Sequence, residues 1–214
     1  MIEQPLKIPV GNVEVEGNLF LPIDAKGIVV FAHGSGSGRF SPRNQYVAKA
    51  FNKAIMGTLL FDLLTPSEEK EDELTAEYRF NIPLLADRLV GATEWLRNNP
   101  STKKLKIGYF GASTGAAAAL IAAAKLPNEV VAVVSRGGRP DLAGDYLPRV
   151  MAPTLLLVGG LDTEVIELNR QAMAQMTNEK KLEIIPGATH LFEEPGKLEE
   201  VAKLAAAWFI RYLC

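Results

Sequence analysis

Five short, almost unbroken apolar runs dominate the chain: Gly27 to Phe31, Thr58 to Phe61, Leu105 to Phe110, Val130 to Val134 and Thr154 to Val158. Runs of this kind, bounded by turn-forming residues, read as strands buried on both faces, as in a parallel sheet covered by helices. The segments between them carry helical spacing. In Asn81 to Asn98, Leu84, Leu85, Leu89, Ala92, Trp95 and Leu96 recur at threes and fours, and Asn98-Asn99-Pro100 ends the pattern. Similar segments run from about Pro42 to Ala54, Thr114 to Lys125, Glu164 to Met176 and Lys197 to Leu213. This alternation predicts an α/β fold with a doubly wound, mostly parallel sheet. Ahead of it, Leu6 to Val10 and the two-residue alternation of Val13 to Phe20 predict an antiparallel hairpin. With 214 residues, 48% of them hydrophobic, the chain can bury one sizeable core, so a single domain over residues 1–214 is expected.

Charge narrows the partners. Lys plus Arg number 23 against 25 Asp plus Glu, with no basic run, which argues against nucleic acid. No apolar run reaches the roughly 18 residues of a membrane span. Met1 to Pro5 lacks the basic and apolar segments of a secretory signal, and the single cysteine, Cys214, allows no intrachain disulfide. Together these predict a cytoplasmic protein that does not associate with membranes. Two segments read as loops: the acidic stretch Ser67 to Glu73, and the connection Val134 to Pro153, too short for a lid domain.

The strand-like Leu105 to Phe110 runs directly into Gly111-Ala112-Ser113-Thr114-Gly115, which opens an alanine-rich helix. Strand, Gly-x-Ser-x-Gly, helix is the arrangement that exposes a serine on a turn too tight for neighbouring side chains. Its hydroxyl needs a base, and the chain offers two histidines. His190 lies in the loop Pro186 to Leu191 after the strand-like Leu182 to Ile185; His33 ends the strand at Gly27 to Ala32. Both fall at the carboxyl edge of the sheet. The order nucleophile, acid, base selects His190 and leaves His33 to shape the loop that follows it. For the acid, Asp162 lies between Ser113 and His190 in the chain and follows a strand; its plainer role is to cap the next helix. Asp141 and Asp145 are rivals on a longer, proline-bearing loop.

The turn His33-Gly34-Ser35-Gly36-Ser37-Gly38-Arg39 can aim backbone N–H groups at an anion. An oxyanion hole would take one N–H near Ser35 or Gly36 and the other from Thr114. The turn lacks the Gly-Lys-Ser/Thr ending of a Walker loop and the spacing of a dinucleotide site. Arg136 and Arg139 follow the strand-like Val130 to Val134; either could grip a carboxylate or phosphate on the substrate, or else pair with Asp141 or Asp145. No cofactor is needed, and two histidines and one cysteine are too few for a typical zinc site.

The motifs Phe31 to Ser37, Gly108 to Gly115, Ser135 to Asp141 and Gly187 to His190 resemble those of the dienelactone-hydrolase-like branch of the α/β-hydrolase superfamily, over nearly the whole chain. The resemblance implies a small, lidless hydrolase. It departs at position 113, where dienelactone hydrolases carry cysteine. Ile55 is out of pattern at the end of the helix from Pro42, where a left-handed glycine cap is expected, and so is Leu161. The combined reading is a serine hydrolase of small esters, thioesters or lactones, with short acyl groups preferred. Acyl transfer and a non-catalytic binding module on the same fold are the alternatives.

Overall fold

The computed structural model describes residues 2–214, with side chains from residue 5 onward. Among these, eight strands form one sheet: β1 (Ile2–Val10), β2 (Val13–Leu21), β3 (Gly27–Ala32), β4 (Gly57–Phe61), β5 (Lys106–Ala112), β6 (Val130–Arg136), β7 (Thr154–Gly159) and β8 (Lys180–Ile185). Their order is β1-β2-β4-β3-β5-β6-β7-β8. β2 is antiparallel to both β1 and β4, and every later pairing is parallel. This is the α/β-hydrolase fold, and the hairpin and parallel strands lie where the hydrophobic pattern placed them.

The helices are α1 (Pro42–Lys53), α2 (Pro66–Thr75), α3 (Ile82–Asn98), α4 (Thr114–Lys125), α5 (Thr163–Gln175) and α6 (Lys197–Leu213). α1 and α6 cover one face of the sheet; α3, α4 and α5 cover the other. β3, β4 and β7 are buried along their whole length, because side chains on both faces meet a helical layer. α4 is buried almost end to end, and its alanines allow close packing on the sheet. α6 is seated just as closely: a Cβ added at Gly27 or Gly108 would lie 2.5 Å from Leu213 or 2.7 Å from Phe209. Among the described residues, no helix is long and apolar enough to cross a membrane.

Three local expectations are corrected. The acidic stretch Ser67 to Glu73 is not a loop but most of α2. Thr65 and Glu68 form a reciprocal capping box at its start, which compensates for a helix with no apolar face. The Val134 to Pro153 connection is also more ordered than a loop. β6 continues through polar Ser135 and Arg136, and a kinked 3₁₀ stretch spans Pro140–Arg149. Third, no glycine ends α1: Ile55 takes the left-handed position itself, at φ 59°. Ile55 N–H donates to Asn52 O at 3.0 Å and Met56 N–H to Phe51 O at 3.1 Å, a Schellman ending with a β-branched residue at the strained site. Nothing in the structure explains the apolar side chain of Leu161, which is exposed.

Candidate active site

Ser113 sits between β5 and α4 at φ 50°, ψ −123°, a conformation an L-residue adopts only under constraint. The surroundings supply it. Ser113 N–H donates to Arg136 O at 3.2 Å, and Ser113 O accepts from Arg139 N–H and Ala116 N–H at 3.1 Å each. The turn closes so tightly that a Cβ at Gly115 would lie 2.3 Å from Ala32 O, which requires glycine there. Thr114 is the first residue of α4, so its N–H has no acceptor within the helix.

Asp162 and His190 are 28 positions apart in the chain and meet at the same edge. His190 Nδ1 is 2.6 Å from Asp162 Oδ2. Asp162 stands at the N-cap of α5 but makes no side-chain cap bond, so its carboxylate serves the imidazole and not the helix. With its proton on Nδ1 donated to Asp162, the ring leaves Nε2 as a lone pair. The two loops come together because Leu161 N–H donates to Ala188 O at 2.9 Å and Gly160 N–H to Ile185 O at 2.8 Å. A side chain at Gly159 would sit 2.5 Å from the carbonyls of Ala188 and Thr189, so this glycine, unremarked in the sequence, admits the histidine loop. Among the described residues no hydrogen bond joins Ser113 Oγ to His190; such contacts commonly tighten only when substrate binds.

His33 is engaged at both nitrogens. Nε2 accepts from Leu63 N–H at 3.0 Å, which places the proton on Nδ1, 3.0 Å from Gly34 O. Burial lowers its pKa, outweighing the Gly34 hydrogen bond and the Asp62 charge. It is therefore a neutral ring tying β3 to the residues after β4. Of the rival acids, Asp141 is gripped by Arg139 at 2.9 and 2.7 Å, and Asp145 is exposed on the 3₁₀ stretch.

Residues 15–211 match the Dienelactone hydrolase family. The chain belongs to that family. It is 57% identical over 99% of its length to two Mycobacterium tuberculosis proteins, from strains CDC 1551 / Oshkosh and H37Rv, that bear the provisional name phosphoribosyl transferase. It spans about half of those relatives, 47% of each. A crystal structure of a dienelactone hydrolase from Anabaena variabilis superposes with a TM-score of 0.98 at 59% identity, covering 100% of this chain and 99% of that one. An α/β serine hydrolase without lid from Xanthomonas campestris shares the fold at a TM-score of 0.79 and 19% identity, over 99% and 95% of the two chains.

In this member of the dienelactone hydrolase family the glycine turn after β3 faces the elbow. Ser35 N–H donates to Thr114 Oγ1 at 3.1 Å, and the two hydroxyls are 2.9 Å apart. Gly36 takes φ 66°. The N–H expected to bind an oxyanion thus rests on the threonine hydroxyl in this state. Beside the turn lies a cavity of about 210 Å³ over Leu63, Leu64 and Leu85, with Asp62, Asp72 and Arg79 at its walls. Arg139 donates from Nε and Nη2 to the two carboxylate oxygens of Asp141, the pairing that the sequence left open, whereas Arg136 is buried. Among the described residues no group of three or more His, Cys, Asp or Glu side chains is placed to hold a metal ion.

Proposed function

We propose that this chain hydrolyses small carboxylic esters, thioesters or lactones through an acyl-enzyme on Ser113. The observation that carries the reading is the 2.6 Å pairing of Asp162 with His190 on the sheet edge that also exposes Ser113 on its strained turn. An aspartate on Nδ1 fixes the tautomer whose Nε2 can accept a proton. Ser113 Oγ attacks the carbonyl carbon while its proton passes to His190 Nε2. The tetrahedral intermediate collapses, the bond to the leaving oxygen or sulfur breaks, and that atom takes the proton from Nε2. Water then gives a proton to His190, attacks the acyl carbon and releases the acid, returning the proton to Ser113.

The oxyanion would be met by Thr114 N–H, at the positive end of α4, and by a backbone N–H from Ser35 or Gly36. For Ser35 to contribute, substrate must displace Thr114 Oγ1 from its N–H. The small cavity beside the turn favours short acyl groups. Acyl transfer follows the same course to the acyl-enzyme and differs only in replacing water by another acceptor.

Treatment with a fluorophosphonate, followed by mass spectrometry of the peptides, tests the reading. A single adduct on the Ser113 peptide, absent from Ser113→Ala, is expected. No adduct, or one on Ser35 or Ser37, would return the chain to a binding module. Analysis of products with an alcohol present distinguishes hydrolysis from acyl transfer.

A further inference from the structure

Arg136 is a buried cation without a hydrogen-bonding partner among the described residues. It is 7% exposed, and its Nη1 is enclosed with nothing to donate to. Its guanidinium carbon lies 5.8 Å from the centre of the Phe110 ring, a contact that offsets only part of the cost of enclosing a charge. Burial and the like charge of Arg43 pull its pKa down to about 10, so it remains a cation at neutral pH. Arg43, in the first turn of α1, donates Nη1 to Glu193 at 2.9 Å but buries Nε without a partner. The next residue, Asn44, is 2% exposed and leaves Oδ1 unpaired as well. Of these two guanidiniums only that of Arg43 meets a carboxylate in a hydrogen bond, although Asp62, Glu69, Glu194 and Glu199 also line the clefts that Arg43 borders.

This locus adjoins the elbow. Arg136 ends β6 opposite Ala112, and its carbonyl holds Ser113 N–H. Arg43 lines a cleft of about 530 Å³ that runs along the glycine turn from Ser35, and also the depression beside Phe192 and Glu194 in the histidine loop. A group bound against Arg43 would stand between the turn that faces Ser113 and the loop that carries His190.

We propose that Arg43 and Arg136 form an anion subsite beside Ser113, and that the ester this chain cleaves carries a phosphate group seated there. The substrate half of the proposal rests on the serine-hydrolase reading; the binding half does not. A carboxylate has two oxygens and is filled by one guanidinium fork, whereas phosphate has three acceptor oxygens for donors arriving from two elements. Arg139 takes no part, being held by Asp141.

The test has a binding arm and a kinetic arm, both on the full chain and on Arg136→Met and Arg43→Gln; the second variant, at a half-exposed side chain, keeps the test decisive where the first fails to fold. In the binding arm, thermal unfolding is followed in inorganic phosphate, acetate and chloride at matched ionic strength. Phosphate is expected to raise Tm by several degrees over chloride in a saturable way, acetate to do so less, and each variant to lose the shift. In the kinetic arm, a short ester bearing a phosphate is expected to exceed its neutral isostere in kcat/KM by about tenfold or more, and this ratio to fall toward one in the variants. Equal shifts in phosphate and chloride, or a phosphate shift that persists in both variants, overturn the subsite. An acetate shift as large as that in phosphate overturns the choice of phosphate. Failure to hydrolyse any ester, with an arginine-dependent phosphate shift intact, sinks the hydrolase reading and leaves the subsite standing.

Discussion

Asp162 holds the N-cap position of α5, yet its carboxylate turns away from the helix and reaches His190 Nδ1 at 2.6 Å. An aspartate there ordinarily accepts from the first helical N–H groups, at a gain of about 1 kcal/mol. The helix forgoes that bond, so the two roles open to Asp162 can be separated by experiment. Asp162→Asn should lower kcat for a short ester by roughly 10⁴-fold, because the amide no longer favours the productive imidazole tautomer. Its Tm should stay close to wild type, since no cap is lost. A large fall in Tm with near-native kcat would return Asp162 to helix capping.

His33 gives a second contrast, in pH dependence. Burial holds its pKa below the usual 6.5 in the folded state, while the unfolded side chain titrates near 6.5. Between those values the unfolded chain binds a proton that the folded chain does not. The stability linked to His33 is therefore complete above pH 6.5 and declines as pH falls through that value. His33→Gln, which cannot titrate, should be less stable than wild type near neutrality, with a gap in urea midpoint that narrows by about pH 5. A constant gap would mean that His33 does not titrate in this window. On kcat, His190→Ala should be far more damaging than His33→Ala.

Glu68 joins two structures at once. One oxygen accepts Thr65 N–H at 2.7 Å in the capping box, and the other pairs at 2.6 Å with Arg88, a side chain 9% exposed that also donates to Val10 O. Removing the carboxylate strands a buried guanidinium, at about 3 kcal/mol. Thr65→Ala removes only a cap, at about 1 kcal/mol. Glu68→Ala should thus lower Tm by roughly 6–12 °C, and Thr65→Ala by a third of that. Equal shifts would show that the ion pair adds nothing beyond the cap.

Ile55 is the position where replacement should help. It adopts φ 59° and is 54% exposed, so it carries backbone strain without compensating burial. Ile55→Gly relieves the strain and keeps both hydrogen bonds of the Schellman ending. After the added chain entropy of glycine, a gain of about 1 kcal/mol, or roughly 2–4 °C in Tm, is expected from differential scanning calorimetry. A lower Tm would show that the isoleucine side chain packs usefully.

The sequence was legible where hydrophobic period and turn chemistry agreed. The buried strands, the elbow at Ser113 and the relation of Asp162 to His190 all follow from runs, spacings and chain order. α2 was hidden because, of its residues, only Asp72 is buried, so no apolar stripe marks it. The signal that could have found it is Thr65-Pro66-Ser67-Glu68, a capping box with proline at the first helical position. β6 read as too short because Ser135 and Arg136 are polar, although both are buried. Arg43 escaped notice altogether: it looks like any cation at the start of an amphipathic helix, and only the fold brings it to the cleft along the glycine turn. Gly159 was invisible for a similar reason, since the carbonyls it must clear lie some 30 residues further along the chain.

The close seating of α6 bears on the life of the chain as it is made. Its Phe209 and Leu213 rest against Gly108 and Gly27, at strands that leave the ribosome long before the helix does. β5 and Ser113 therefore emerge onto a sheet whose α6 side is still bare, with Asp162 and His190 not yet translated. On the serine-hydrolase reading proposed above, a growing polypeptide thus presents Ser113 without its base, and reactivity waits until His190 has been made. On the same reading, loosening of the two loops that carry Asp162 and His190 would part base from nucleophile, so that chemistry fails while the central strands persist.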